Sequence, residues 1–165
     1  GKIVDWAKNE AKDIMQTTVV TVGDDDPLSA VHRLFIDEEI SGAPVVADHG
    51  EVVGVITIRD LLRDNCEERS VERSDLEYFR DYVQLEVDDL RAHGETYVTR
   101  LAERVASDVM TSLVITVDPE ATIQEVVRIV LENKVHRVLV AEQGENGSSL
   151  AGIISLFDLV ALLGD

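Results

Sequence analysis

The run "GVITIRDLL", Gly54 to Leu62, changes character halfway along. Gly54-Val55-Ile56 reads as a buried strand and Arg59-Asp60-Leu61-Leu62 as the first turns of a helix, with Thr57 at the junction. Nearly the same run, "GIISLFDLV", returns at Gly152 to Val160, with Ser155 at the junction and Asp158 three residues on. A strand that ends on a hydroxyl and is followed by an aspartate, built twice in one chain, is the mark of an internal repeat.

The rest of the sequence falls into register around that pair. "DIMQTTVVTV" at Asp13 to Val22 matches "DVMTSLVITV" at Asp108 to Val117, 95 positions later. A helix start follows each. Asp26 before Pro27 suits an N-cap and a first helical residue, and Leu28, Val31, Leu34 and Phe35 then share one face. In the second copy Thr122 and Glu125 are spaced for a capping box, ahead of the stripe Ile123, Val126, Val127 and Val130. Two short strands come next: "APVVAD" and "EVVGVIT" in copy one, "RVLVAE" and "LAGIIS" in copy two. His49-Gly50 and the longer "GENGSS", Gly144 to Ser149, are turn signals between them. The longer turn accounts for the growth of the offset from 95 to 98 at the quoted run.

The unit is therefore strand, helix, strand, strand, helix. About 50 residues bury too little surface to stand alone, so two copies are expected to pack around a pseudo-twofold axis. Strands rich in Val and Ile suit small sheets covered by helices. The fold class is α/β, a tandem β-α-β-β-α repeat with a helical insertion. The expected organisation is a first repeat with an N-terminal helix over 1–66, a helical connecting segment over 67–104, and a second repeat over 105–165.

The chain has 165 residues, 45% of them hydrophobic but only 4% aromatic, so its core must be aliphatic. No apolar run approaches the roughly 20 residues that cross a membrane, and "GKIVDWAKNEAKDIM" lacks the apolar segment of a signal peptide. A single cysteine, Cys66, leaves no internal disulfide framework, and a cytoplasmic protein is the expectation. With 33 acidic and 15 basic residues the formal charge is −18, which disfavours nucleic acid and anionic lipid as partners. An anionic small ligand is still compatible, because screening confines repulsion to about 8 Å at physiological ionic strength.

In these pieces the chain resembles the CBS (cystathionine-beta-synthase) domain family. They are "DIMQTTVVTV", "ISGAPVVAD" and "GVITIRDLL" in copy one, and "DVMTSLVITV", "VHRVLVAEQ" and "GIISLFDLV" in copy two. The two spans they delimit, Asp13 to Leu62 and Asp108 to Val160, cover about two thirds of the chain, and their ordered set is what is specific. The second copy looks like the last repeat of the gamma subunit of AMP-activated protein kinase. The resemblance implies that two repeats form one module with two clefts, many of which bind adenosine-containing ligands and regulate an attached or partner protein. By the same resemblance, the Ser/Thr of the quoted run lies near phosphate and its aspartate accepts from ribose hydroxyls: Thr57 and Asp60 in one cleft, Ser155 and Asp158 in the other. Thr17, Thr18 and Val20 are implied beside Asp158, and Thr111, Leu113 and Ile115 beside Asp60. Ile40, Ser41 and Gly42, and likewise Val135, His136 and Arg137, are implied just before the second strand. His136, Arg137 and Arg59 are the anion candidates, and Phe157 is an aromatic that can stack on a base. An ionised carboxylate accepting two bonds from a vicinal diol is sound chemistry.

Each of these motifs has a plainer reading. Thr57-x-x-Asp60 and Ser155-x-x-Asp158 are also helix-capping signals, worth about 1 kcal/mol each without any ligand. The use of Asp where capping boxes favour Glu or Gln leans toward binding. His136 and Arg137 are equally a solvated edge. Asp24, Asp25 and Asp26 read as an N-cap cluster, since three consecutive side chains do not converge on an ion. His32, His49 and His93 lack ligand spacing, and Cys66 has no paired histidine, so neither a metal site nor a catalytic nucleophile is expected. In the insertion, Ser74 reads as a helix cap, and Leu76, Phe79, Val83, Val87 and Leu90 form a stripe that must be buried, against the chain's own module or in a dimer.

The resulting expectation is a non-catalytic sensor module that requires no cofactor. It would take AMP, ADP, ATP or S-adenosylmethionine, form a homodimer, and signal to an unidentified protein. The alternative is a dimeric interaction scaffold with the same fold and no nucleotide.

Overall fold

The computed structural model describes residues 9–63, 76–80 and 103–164. They divide into two compact units, each built mainly from one repeat. Both units are mixed α/β, each with one three-stranded sheet.

The unit of the first repeat contains β1 (Val22–Gly23), α2 (Leu28–Glu38), β2 (Gly42–Val46), β3 (Val52–Thr57) and α3 (Ile58–Arg63). Strand β2 lies in the middle, parallel to β1 and antiparallel to β3. Leu28, Val31 and Phe35 of the expected stripe are buried, with Leu34 partly so, against Val22, Ala43, Val45, Ile56, Ile58 and Leu61. The apolar side chains are aliphatic apart from Phe35, as the composition requires. Helix α2 begins one residue later than the sequence suggested, with Pro27 at the N-cap. Asp26 instead turns back, its Oδ2 accepting from the Gly23 N–H at 2.8 Å.

The unit of the second repeat repeats this order with β4 (Thr116–Val117), α6 (Ile123–Asn133), β5 (Arg137–Gly144), β6 (Gly147–Ser155) and α7 (Leu156–Ala161). Thr122 caps α6 by accepting from the Glu125 N–H at 3.1 Å. Ile123, Val126 and Val130 are buried and Val127 half-buried. "GENGSS" is not a long turn. Gly144 pairs with Gly147, so Glu145-Asn146 is a two-residue connection, and Ser148 and Ser149 pair with Gln143 and Glu142. Gly147, the residue after that connection, has φ 126°, a backbone conformation that favours glycine. The extra residues of the second copy lengthen its strands.

Two short helices complete the units, each joined to the repeat that does not follow it in sequence. Helix α1 (Ala11–Ile14) belongs with the second repeat: Ala11 N–H donates to Ala121 O, and Gln16 forms a two-way bridge with Ile153. Helix α5 (Ala106–Val109) belongs with the first: Ala106 N–H donates to Asp26 O, and Thr111 and Val55 exchange both backbone bonds at 2.9 Å. The glycine of each quoted run makes that approach possible. A Cβ on Gly152 would stand 2.7 Å from Gln16 O, and one on Gly54 would stand 2.6 Å from Thr111 O. Both β-bulges, at Val45/Val46 and Val140/Ala141, sit beside these glycines.

A further short helix, α4 (Glu77–Arg80), lies within the sequence insertion. Leu76 is half-buried and Phe79 fully buried, as their place in the stripe predicts. The remainder of that stripe, with Ser74, Cys66 and His93, lies outside the described residues.

Candidate ligand site

In the second-repeat unit, β6 ends on Ser155 and α7 starts at the next residue. Ser155 N–H donates to Asp158 Oδ2 at 2.8 Å, and Asp158 N–H donates to Ser155 Oγ at 3.3 Å. This is a closed capping box, so aspartate at the third helical position is no argument against capping. The carboxylate has a second oxygen, Oδ1, which accepts from Gln16 Nε2 at 3.0 Å. Gln16 is exposed, Asp158 half-buried, and Thr17 and Thr18 continue the same exposed strip. Nothing in the sequence singled out Gln16; only its bridge to Ile153 brings it there.

Arg137 is the register partner of Ser155, and His136 O accepts from Leu156 N–H at 2.8 Å. His136, Arg137, Ser155, Leu156, Phe157 and Val160 line a depression of about 260 Å³. Asp158 is not among its lining residues. At about 100° per residue it projects from α7 on the side away from Leu156 and Val160. Ser155 thus joins two groups that the sequence reading had placed together: the Asp158–Gln16 pair, and the depression with His136, Arg137 and Phe157. Phe157 is 85% exposed, so nothing among the described residues stacks over it. Val135 is buried and its N–H bonds to Val130 O, which makes it a core residue and not a contact surface.

The first-repeat unit treats the equivalent residues differently. Thr57 N–H donates to Asp60 Oδ2 at 2.8 Å, with a longer return bond of 3.4 Å from Asp60 N–H to Thr57 Oγ1. Both residues are 3% exposed, so this carboxylate does not face open solvent. Arg59 Nε lies 2.7 Å from Glu77 Oε1 in an ion pair whose side chains are largely buried. Tyr78 is buried against Gly42, where a Cβ would come within 2.9 Å of its ring. Ile40, Ser41 and Gly42 are half-buried beside Thr57, with Ser41 O accepting from Ile58 N–H. Thr111 reaches this unit through its bridge to Val55, and Leu113 is half exposed. Val20 belongs to this unit and Ile115 to the other, where its carbonyl accepts from Leu139 N–H. The sequence reading passed over Glu77 and Tyr78, taking from "DLEYFR" only the apolar stripe.

Asp24 and Asp25 do converge, contrary to expectation, though with Asp48 in place of Asp26: their carboxylate oxygens lie within 4.8 Å of one another. Asp25 and Asp48 are exposed, and the group is an acidic surface cluster.

Comparison with known proteins matches this doubled arrangement. The CBS domain family pattern matches residues 11–65 and 106–165, and the chain belongs to that family as a tandem pair. An uncharacterized protein of Methanocaldococcus jannaschii is 30% identical over 155 residues, covering 92% of this chain and 89% of that protein. The chain spans only 31% to 42% of three other curated relatives that it matches. Two solved structures share the fold at lower identity. CBSX2 in complex with AMP, a protein of Arabidopsis thaliana, is 20% identical with a TM-score of 0.59, covering 93% of this chain and 95% of that one. The CBS domain of a bacterial CNNM/CorC family Mg2+ transporter in complex with ATP is 19% identical with a TM-score of 0.63, covering 98% and 91%. No helix among the described residues is long and apolar enough to cross a membrane.

Proposed function

We propose that this chain is a non-catalytic regulatory module that binds an adenine nucleotide or S-adenosylmethionine at its second repeat and signals to a partner protein in the cytoplasm. The observation that carries the reading is the state of Asp158. One carboxylate oxygen is committed to the helix cap, while the other rests on an exposed glutamine amide that a ribose diol can replace. Thr17 and Thr18 extend that contact strip. Ser155 links it to Arg137 and His136, the residues that this reading assigns to phosphate. AMP and ATP bound to proteins of the same fold support the ligand class.

The test is calorimetry with AMP, ADP, ATP and S-adenosylmethionine on the wild type and on Asp158→Asn. The charge-assisted bonds at stake are worth about 1.5–3 kcal/mol each, so the variant should bind roughly tenfold or more weakly. Its melting temperature should move little, because asparagine retains an oxygen for the cap. Equal affinity in both proteins would remove Asp158 from the site, and no binding of any ligand at millimolar concentration would defeat the nucleotide reading.

One observation favours the scaffold reading. Leu156, Phe157, Val160 and Leu163 are all exposed along α7 and the turn after it. A self-associating face of that kind predicts a dimer by sedimentation that Phe157→Glu converts to monomer.

A further inference from the structure

The first repeat carries an occupant of its own. Glu77 places a carboxylate oxygen 2.7 Å from Arg59 Nε, with only 8% of the glutamate side chain and 21% of the arginine side chain exposed. Tyr78, the next residue, is 5% exposed and lies so close to Gly42 that any larger residue there would collide with its ring. Gly42 also faces Thr57, whose methyl would stand 3.3 Å from the same Cβ. The two consecutive side chains therefore cover the junction of β2, β3 and α3, the counterpart of the open surface around Ser155.

A carboxylate on a guanidinium is the protein's own version of a phosphate on a guanidinium: both offer anionic oxygens to the same planar fork of donors. We propose that Glu77 and Tyr78 form an internal latch over a second anion site at Arg59, and that a nucleotide enters the first repeat only by displacing them. The ligand class rests on the nucleotide reading above; the latch itself rests on the Arg59–Glu77 pair and the Tyr78–Gly42 contact. The second repeat then responds at lower ligand concentration. The first answers only when ligand is abundant enough to compete with a tethered group, and its apparent affinity falls in proportion to the fraction of time the latch is open.

The experiment uses the full chain carrying Asp158→Ala and Arg137→Ala, which removes the ribose and phosphate partners proposed for the second repeat. In that background Glu77→Gln, alone and with Tyr78→Ala, is titrated with ATP, AMP and inorganic pyrophosphate, and folding is checked by circular dichroism. Glu77→Gln keeps the size of the side chain and all of Tyr78, so it serves if the double variant fails to fold. The latch predicts at least tenfold tighter binding of ATP and pyrophosphate than in the parent, abolished by adding Arg59→Ala. A gain for pyrophosphate without a gain for ATP or AMP upholds the latch and defeats a nucleotide as the ligand of the first repeat. A folded Glu77→Gln protein with no gain for any of the three probes, or a gain that survives Arg59→Ala, overturns the latch.

Discussion

Gly54 and Gly152 are the residues on which each unit closes, and the sequence displays them without displaying the reason. The repeat places a glycine at the head of both quoted runs, inside a strand and between apolar neighbours. A strand interior disfavours glycine, which signals a bulge or a close approach of something else. That something is a segment over 40 positions away in one case and over 130 in the other, and no local pattern names it. In the structure the backbone of Gln16 passes over Gly152, and Met15 Sδ lies 2.7 Å from the site of an added Cβ. Gly152→Ala must push backbone, not a side-chain tip. A destabilisation of about 1–3 kcal/mol is expected, the usual cost of forcing extra volume into a packed site. Differential scanning calorimetry should show a lower melting temperature. An alanine variant as stable as the wild type would mean that the segment can be shifted freely.

Helices and strands were legible to the extent that their signals were local. The stripes of α2 and α6 and the hydroxyl–aspartate starts of α3 and α7 were read from spacing alone. What was misread depended on pairing: Ser148 and Ser149 look like turn residues but lie in an extended hairpin, because Gln143 and Glu142 offer ladder partners. The ends of α2 and α6 were not anticipated either. Both finish on a non-glycine residue in the left-handed region, Glu39 at φ 53° and Lys134 at φ 55°. Glycine is the residue that tolerates this position. Lys134 is exposed, and its replacement costs little packing. Lys134→Gly should therefore stabilise the protein by about 0.5–1 kcal/mol, relief of the left-handed backbone outweighing the added freedom of the unfolded chain. That corresponds to a rise of roughly 1–4 °C in melting temperature for a chain of this size. A fall would indicate that the lysine side chain holds the helix end in a way the cap geometry does not reveal.

At the scale of the whole molecule, the repeat made the two sites look alike, and the structure separates them. Asp158 keeps an exposed partner, whereas Asp60 is buried, and Glu77 and Tyr78 of the insertion pack against Arg59 and Gly42. The covering of Arg59 and Gly42 was not legible because Glu77 and Tyr78 fall outside the repeated pattern. The net charge of −18, by contrast, was plain from composition and acts on both units together. Like charges in excess destabilise a compact chain by self-repulsion. The exposed Arg33–Asp37 pair and the partly exposed Lys12–Glu10 pair offset little of it. Raising NaCl from 0.1 M to 1 M shortens the screening length from about 10 Å to about 3 Å, which relieves repulsion between acids several residues apart while leaving hydrogen-bonded contacts almost untouched. The melting temperature should therefore climb with NaCl, and climb less in a variant where exposed acids such as Glu132, Glu142 and Glu145 are changed to glutamine. The buried Arg59–Glu77 pair should hardly notice the salt. A melting temperature that is flat or falls with NaCl would show that attractive surface pairs, and not net repulsion, dominate the electrostatics of the fold.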